Sequence, residues 1–400
     1  MVGRVIVDEL RTRERGDDVE RSARIRWTAG EFRLSVSTPR RLAASRDDAA
    51  GFVCAALLPA MRLGEDLEVQ AGVSRRLLER VPRIVDVYTS WDPRLHRTRV
   101  RAERELGPRT AAAGVGGFFS RGVDSMHSAA MPRGLPGALT ELVHCDRLEP
   151  LHSPAVRAEE IRLAGEAAGV LEVPLVVIET NLRDLTDPIV ADWADMVGGG
   201  LAFLAHAMAG GLGHVVIPSS AAPTTVIPTG SSPMLDAMFS TDELEVYHDA
   251  PGSRPAKVAW LARERPELLP FLKVCFHEDR SGNCGRCPKC LVTMLSLEAA
   301  DALGLATGFP RELDRSALAA LDVRGIQPRE EFREIEWRLR ERGGEQLADL
   351  VADALDRGAG GPPDGELRSD SPAFLARAER DAMRLPGSRS PPPEAGPSGS

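Results

Sequence analysis

From residue 114 onward the chain alternates short apolar runs with longer stretches of helical period, and this alternation restricts the fold more than any other feature. The strand-like runs are GVGGFF, ALTELVHCD, VPLVVIETN, GHVVIPSS and LEVYHDAP. Helical periods separate them, as in SPAVRAEEIRLAGEAAGV. Continuously apolar strands alternating with helices predict an α/β fold, a mainly parallel sheet with helices on both faces. Ligands of such sheets bind at the carboxyl ends of the strands.

Residues 1–110 have a different pattern and are interpreted as an α+β accessory domain. ARIRWTAGEFRLSVS predicts a two-stranded hairpin, AGFVCAALLPAMRL a short apolar helix, and RIVDVYTSW a further strand. Residues 111–305 are predicted to form the main α/β domain, and the charged residues 306–358 a helical segment. The Gly-, Pro- and Ser-rich residues 359–400 are predicted to be a disordered tail.

Composition restricts the partners and the compartment. The 400 residues have 43% hydrophobic and 27% charged content, as in ordinary globular proteins, and a length that suggests two domains. The net charge of −9 argues against broad nucleic-acid or anionic-membrane binding. The uncharged residues 198–220 are interpreted as a buried helix followed by a strand rather than a membrane span. With no signal-like N-terminus, we expect a cytoplasmic protein that acts on a small molecule; a homodimer is left open.

The run GVGGFF is followed by Ser120, Arg121, Gly122, Val123, Asp124 and Ser125. A loop between a strand and a helix presents unpaired backbone amides and the positive end of a helix dipole, which suits phosphate. Serine hydroxyls add donors and glycine permits close approach, while the Asp124 carboxylate would hold Mg²⁺ or fix the loop. The sequence contains no Walker loop.

Four of the six cysteines, Cys275, Cys284, Cys287 and Cys290, lie within sixteen residues. Two overlapping Cys-x-x-Cys steps, with Gly285 at the turn and Cys275 from the end of a preceding strand, predict a tetrahedral zinc knuckle of four cysteines at residues 275–290. An iron–sulfur cluster and a set of redox thiols are the alternatives. With four thiolates in the shell, His277 is expected outside it.

The segment Ser120–Ser125 resembles the Ser-Gly-Gly-x-Asp-Ser signature of the N-type ATP pyrophosphatase (PP-loop) superfamily. The resemblance implies that these residues surround the β,γ-pyrophosphate of ATP and that Asp124 and Ser125 are catalytic. Arg121 replaces the family's first glycine. Its side chain could contact phosphate, its bulk could mean a decayed loop, or it could point to solvent.

The cysteine spacing resembles the zinc site of the 7-cyano-7-deazaguanine synthases, PP-loop enzymes that convert a carboxylate to an amide and a nitrile with ammonia and ATP. The resemblance covers about residues 114–304 and implies ATP, Mg²⁺ and Zn²⁺ as cofactors. It implies an AMP-forming ligase that activates a carboxylate or amide-type oxygen for attack by ammonia or an amine. The alternatives are ATP-dependent sulfur transfer, for which Cys145 and Cys54 remain, and a non-catalytic nucleotide-binding protein with a degenerate loop.

Several further polar residues are weaker candidates. Cys145 ends the second strand and is either a buried inert thiol or a nucleophile. The residues at later strand ends are equally compatible with substrate contact and with helix capping: Thr180, Asn181, Arg183, Ser219 and Ser220. Asp236 and Ser240 are the candidate polar contacts of a long polar loop. Arg254, Lys257 and Lys273 could neutralise phosphate, or lie solvated at the surface.

Overall fold

The fold was obtained as a computed structural model that describes residues 3–134, 136–148, 153–190, 192–225, 227–275, 277, 280–321 and 323–358. Ten strands lie within these residues: β1 (Arg4–Arg15), β2 (Asp18–Trp27), β3 (Gly30–Pro39), β4 (Asp66–Ser74), β5 (Val100–Leu106), β6 (Gly114–Phe118), β7 (Glu141–Asp146), β8 (Leu175–Thr180), β9 (Leu212–Pro218) and β10 (Glu245–Asp249). The predicted disordered tail, residues 359–400, lies outside the described residues.

Eleven α-helices connect and cover these strands in the described part of the chain: α1 (Ala50–Leu63), α2 (Arg75–Trp91), α3 (Val123–Ala130), α4 (Pro154–Leu171), α5 (Leu182–Val190), α6 (Trp193–Ala207), α7 (Arg254–Glu264), α8 (Pro288–Ala299), α9 (Arg315–Ala319), α10 (Ile326–Glu341) and α11 (Glu345–Gly358). None of them is both long enough and apolar enough to cross a bilayer.

All ten strands belong to one mostly parallel sheet, in the order β10-β9-β6-β7-β8-β3-β2-β1-β4-β5. The five strands from β10 to β8 are parallel to one another, as are β1, β4 and β5. Antiparallel pairing is confined to β8, β3, β2 and β1. The predicted α/β class and the predicted hairpin of β2 and β3 are confirmed.

The β10–β8 part of the sheet has helices on both faces because successive side chains of a strand point to opposite sides. In β7, Leu142 packs with Ala164 of α4 in one core, and the next residue, Val143, packs with Phe203 of α6 in another. The N-terminal strands differ. Val7 packs in the same core as α1, whereas Asp8, on the other face, bonds Arg24 and Arg26.

The two parts of the sheet are joined where β3 pairs with β8. Only Val36↔Thr180 and Ser37↔Glu179 are in register, but side chains extend the junction. The Asn181 carboxamide accepts from the Ser35 amide at 2.8 Å and donates to the Arg33 carbonyl at 2.9 Å. The predicted domain boundary near residue 110 therefore lies between two parts of one continuous sheet.

The interpretation of RIVDVYTSW as a strand is wrong, because these residues form the second half of α2. The buried residues of this helix recur at helical spacing: Leu77, Val81, Ile84, Val85 and Tyr88. The β-branched residues of the stretch suggested a strand, but packing of one helical stripe against the core outweighs that local preference. The buried helix and strand expected in residues 198–220 are present as α6 and β9.

Candidate functional site

The loop between β6 and α3 lies at the carboxyl end of a strand placed between β9 and β7. Gly122 is the N-cap residue of α3, so that Val123, Asp124 and Ser125 form its first turn. The amides of a first helical turn have no intrahelical carbonyl and attract anions. The Ser125 hydroxyl accepts from the Ser120 amide at 3.2 Å and donates to the Gly122 carbonyl at 3.1 Å. Ser125 thereby links the start of the loop to the first turn of α3.

Arg121 is buried, with 2% of its surface exposed, which rules out the alternative that it points to solvent. Its Nη2 atom bonds the Glu160 carboxylate of α4, and its Nη1 atom donates to the Phe271 carbonyl at 3.2 Å. The backbone at Arg121 has a φ of +61°. This left-handed conformation costs a residue with a Cβ about 1–2 kcal/mol and costs glycine little. Arg121 therefore adopts a backbone conformation that suits glycine. Its side chain fixes the loop to Glu160 and to the Phe271 carbonyl.

Asp124 contacts basic side chains of α7. Its Oδ1 atom lies 2.7 Å from the Lys257 ammonium, and its Oδ2 atom lies 3.5 Å from Arg254. Lys257 is almost fully buried and also bonds the Ser219 carbonyl at the end of β9. Burial acts to raise the pKa of Asp124, but Lys257 and Arg254 outweigh it and hold the pKa below its usual range. The charged Asp124 thus ties the start of α3 to α7.

The loop forms part of the wall of a cavity of about 280 Å³, which is near the lower end of the range for small-molecule sites, about 300–1,000 Å³. Five lining residues are basic and three are acidic: Arg147, Arg157, Arg254, Lys273 and Lys289, against Asp124, Asp146 and Glu160. Ser120, Gly122, Val123 and Ser125 also line it. The excess of basic residues beside a helix N-terminus favours an anionic ligand.

The end of β7, the strand next to β6, supplies another part of the wall through His144, Cys145 and Asp146. His144 Nδ1 lies 3.1 Å from the Phe119 carbonyl, and burial lowers the pKa of the imidazole. Cys145 is half-buried and lines the cavity, so the interpretation of it as a fully buried thiol is wrong. Cys54, by contrast, is buried in α1, and burial raises the pKa of its thiol.

The four clustered cysteines come together as predicted, with all four sulfur atoms within 4.8 Å of one another. Cys284 and Cys290 Sγ are 3.8 Å apart, and Cys275 and Cys287 Sγ are 4.0 Å apart. Zn–S bonds of about 2.3 Å in a tetrahedron place sulfurs about 3.8 Å apart. The cluster could therefore hold a metal such as zinc.

Local backbone supports this geometry. Gly285, at the predicted knuckle, has a φ of +74°, and an added Cβ would lie 2.6 Å from Pro310. The amides of Arg286 and Cys287 donate to Cys284 Sγ. Cys275 lies in a loop after the 3-10 helix Pro266–Phe271, so the prediction that it ends a strand is wrong. His277 is exposed and lines the cavity.

The cysteine segment also forms part of the cavity wall. The Lys273 amide donates to the Arg121 carbonyl at 3.0 Å, which ties the segment to the loop. The Lys273 ammonium bonds the Arg280 and Gly282 carbonyls at 2.7 and 3.0 Å. Cys287 is the N-cap residue of α8, and Lys289, the second residue of this helix, lines the cavity. A metal at the cysteines would therefore hold one wall of the cavity in place.

Other predicted contact residues serve the fold instead. Thr180 Oγ1 donates to the Ser35 carbonyl at 2.7 Å, and Asn181 bonds β3. Arg183 bonds Asp187 and stacks over Trp193, 4.7 Å from the ring centre. The Ser240 hydroxyl accepts from the Val246 amide at 3.0 Å. None of these residues lines the large cavity. Ser219 and Ser220 line a second, smaller cavity, and the buried Asp236 bonds His248, which also lines it.

The sequence did not indicate several residues of the cavity wall. Arg157 and Glu160 lie one turn apart on α4, and Lys289 and Thr293 one turn apart on α8. In the sequence they are ordinary polar positions of amphipathic helices. Their shared cavity depends on how two helices distant in sequence pack beside β6 and β7. Only for Lys289 could the sequence have suggested a place near the site, because this residue lies between two predicted metal ligands.

Comparison of the chain with models of known protein families, with curated proteins and with solved structures finds no match in any of the three.

Proposed function

We propose that the large cavity binds ATP, with the outer phosphates at the loop Ser120–Ser125 and the start of α3. The single observation that carries the proposal is the position of this loop, at a strand's carboxyl end in the wall of a cavity with five basic residues. Backbone amides of a first helical turn and cationic side chains are the groups that bind phosphate. The resemblance of the loop to the PP-loop signature supports the same ligand.

The proposed reaction is adenylation. A carboxylate or amide-type oxygen of a small substrate attacks the α-phosphorus of ATP, the α–β phosphoanhydride bond breaks, and pyrophosphate leaves. Ammonia or an amine then attacks the activated carbon, and AMP leaves with the electrons of the C–O bond. The basic residues and the helix amides would stabilise the charge that develops on pyrophosphate. Asp124 would position Arg254, which lines the cavity, beside the leaving pyrophosphate.

The cavity offers Mg²⁺ a poor set of ligands. Each of its three carboxylates lies beside a basic side chain: Asp124 beside Lys257, Glu160 beside Arg121, and Asp146 3.8 Å from Arg157. Magnesium sites use one or two carboxylates with several waters or phosphates. We therefore assign no step to a protein-bound Mg²⁺. The four cysteines would hold zinc as a closed structural site without a chemical role.

Equilibrium binding of ATP to the zinc-loaded protein tests the first half of the proposal. Arg157→Met removes a basic residue of the cavity wall, whereas Arg162→Met removes an exposed arginine from the same helix. A charge-assisted phosphate contact contributes about 1.5–3 kcal/mol, so we expect ATP to bind at least about tenfold more weakly to Arg157→Met. Arg162→Met should change the affinity less than twofold. Equal affinity of the two variants, or no ATP binding by the wild type, would refute the site.

Product analysis tests the chemistry. Incubation of the protein with ATP and candidate acids should release AMP and pyrophosphate in equal amounts, and Asp124→Ala should abolish both. Full activity in Asp124→Ala would remove this residue from the mechanism. ATP binding without AMP formation, for any acid tested, would favour the non-catalytic alternative.

Sulfur transfer is a second candidate, favoured by one observation: Cys145 lies in the cavity wall and Cys54 does not. Four of the six cysteines form the cluster, so Cys145 is the cysteine placed to carry sulfur to an activated substrate. Cys145→Ser separates the two functions. If the protein transfers sulfur, this variant should lose the sulfur-containing product completely while adenylation is unchanged. If an amine attacks the adenylate instead, turnover should stay within about threefold of the wild type, because the thiol would only pack in the cavity wall.

A further inference from the structure

A second cavity, of about 30 Å³, lies beyond the carboxyl ends of β9 and β10. A space of about 10–15 Å³ accommodates one water, so this cavity suits a molecule of that size rather than a nucleotide. Its walls consist of the residues after β9, part of the polar connection to β10, and residues near the end of β10: Ser219, Ser220, Ala221, Pro223, Ile227, Thr229, Ser231, Ser232, Pro233, His248 and Pro251, together with Gln327 of α10.

His248 in this wall is held by a buried carboxylate. Its Nδ1 atom lies 2.8 Å from Asp236 Oδ2, and Asp236 is fully buried. The Ser231 hydroxyl donates to the same carboxylate at 2.8 Å, and the Ser232 amide at 3.3 Å. A carboxylate that accepts a hydrogen bond from Nδ1 fixes the tautomer of an imidazole. Nε2 of His248 is then the nitrogen that can accept a proton from a molecule in the cavity.

The cavity wall includes proline residues and a buried hydroxyl group without a partner. Three of its residues, Pro223, Pro233 and Pro251, have no backbone N–H group. Ser232 is 2% exposed, and its hydroxyl has no hydrogen-bond partner among the described residues. An unpaired buried hydroxyl is costly, which points to a small polar molecule at this place. A small cation that donates hydrogen bonds to Ser232 Oγ and to His248 Nε2 suits this place, since the Asp236 carboxylate lies 2.8 Å from the other ring nitrogen of His248.

The two cavities share contacts of one buried side chain. Lys257 contacts Asp124 of the large cavity at 2.7 Å and bonds the Ser219 carbonyl of the small one. Beside it, Gln327 donates to the Ser220 carbonyl at 2.8 Å. Lys257 therefore connects a residue of one cavity wall to a residue of the other.

We propose that the small cavity binds ammonium and that His248, positioned by Asp236, accepts a proton from it. The binding step stands on the small cavity alone, whereas delivery of ammonia to an adenylate rests on the proposed function. Ammonium has four N–H donors and no acceptor, and its volume is close to that of water. Ser232 Oγ and His248 Nε2 are two of its acceptors.

The proposed transfer of ammonia to the adenylate conserves protons and electrons. Ammonium transfers one proton to His248 Nε2, which gives ammonia and an imidazolium. The ammonia lone pair then forms the C–N bond of the product, the C–O bond to AMP breaks, and AMP leaves with that electron pair. The nitrogen loses one further proton to give the neutral amide, and the imidazolium returns its proton to solvent. No oxidant or reductant is needed.

The test follows the histidine side-chain NMR signals of the ¹⁵N-labelled, zinc-loaded full chain without ATP. The signal of His248 is assigned by its loss in His248→Gln. Ammonium chloride is titrated at constant ionic strength, in parallel with potassium chloride and tetramethylammonium chloride. We expect a saturable shift of the His248 signal with ammonium alone. Ser232→Ala should weaken ammonium binding about fivefold, the effect of one hydrogen bond of about 1 kcal/mol. Ser90→Ala, at an exposed position of α2, should leave it unchanged.

Three results would overturn the proposal. An equal shift of the His248 signal with potassium would mean that the cavity binds cations in general. Tetramethylammonium is too large for the cavity, so an equal shift with this ion would mean that the shift arises from binding elsewhere. No saturable shift, or equal affinity in Ser232→Ala and the wild type, would mean a cavity that holds only water. Because ATP is absent, these results are distinct from a failure of ATP binding. If the protein binds ammonium but not ATP, the small cavity is confirmed as an ammonium site and the adenylation proposal is refuted.

Discussion

At the residue scale, Arg121 combines a backbone conformation that favours glycine with a side chain that forms a buried ion pair with Glu160. Only 3% and 6% of the two side chains are exposed, so loss of either partner leaves a charge without compensation. Such a loss costs about 3–5 kcal/mol, more than the backbone strain at one residue.

Arg121→Ala is therefore expected to lower the free energy of unfolding by about 3–5 kcal/mol. Arg121→Gly should be milder by about 1 kcal/mol because glycine relieves the left-handed strain. Glu160→Gln added to Arg121→Gly should recover part of the loss, since it removes the unpaired charge. Urea denaturation of the three variants measures these differences. Equal stability of the alanine and glycine variants would show that the backbone at residue 121 is not strained.

Asp195 provides a residue-scale prediction about pH. Burial raises its pKa to about 7, against the opposing effect of Arg62, whose Nη2 lies 3.2 Å from the carboxylate. The ordinary value is 3.8, so between about pH 4 and 7 the folded protein binds a proton that the unfolded chain has lost. The stability contribution of Asp195 is full below this window and is lost as the pH rises through 7.

Asp195→Asn should remove this loss, so that the variant becomes less destabilised, relative to wild type, as the pH is raised from 5 to 8. Melting temperatures across that range provide the measurement. Asp353→Asn, at an exposed position of α11, is the matched control and should follow the wild type. A parallel pH dependence of Asp195→Asn and wild type would contradict the raised pKa.

At the element scale, the cysteine segment and the start of α8 act together. The segment bonds the loop through Lys273 and Arg121, and α8 contributes Lys289 and Thr293 to the cavity. A short segment with few buried apolar side chains has little stability of its own, so four metal–sulfur bonds would decide whether it is ordered.

Removal of the metal is expected to loosen the cavity wall more than the sheet. The purified protein should contain about one zinc per chain, and Cys284→Ser should lose it. Hydrogen exchange should then increase in residues 271–275 and at the start of α8, with little change in β1–β5. Cys54→Ala, at a buried position of α1, should retain its zinc. Metal content equal to wild type in Cys284→Ser would show that the cluster is not the metal site.

At the scale of the whole molecule, one sheet and one core span the two predicted domains. Phe52 of α1 and Phe203 of α6 have ring centres 5.5 Å apart, and they share a core with β2, β3 and β8. A core shared in this way makes unfolding of the two parts cooperative.

A chain that begins at residue 111 should therefore fail to fold, since α6 and β8 would expose the surfaces that α1 and β3 cover. We expect weak helical signal, no cooperative thermal transition and rapid hydrogen exchange in β6–β9. The full chain should show a single transition by circular dichroism and by tryptophan fluorescence. A cooperative transition of the shortened chain would show that residues 111–358 form an independent unit.

Local patterns in the sequence were sufficient for the five strands and for helices α4 and α6 of residues 114–251, for the β2–β3 hairpin and for the cluster of four cysteines. Each of these depends on residues that are neighbours along the chain, through side-chain periodicity, turn chemistry or ligand spacing. Only α2 was misassigned within the accessory region, where β-branched residues coincide with a helical stripe.

The tertiary structure alone decided how these pieces meet. The antiparallel pairing of β3 with β8, the burial of Arg121 against Glu160, and the meeting of Asp236 with His248 join residues that no local pattern relates. Such contacts form because burying the apolar faces of distant elements brings their polar residues together, and the polar groups must then find partners. The chain determined its elements locally; packing decided which side chains share a cavity.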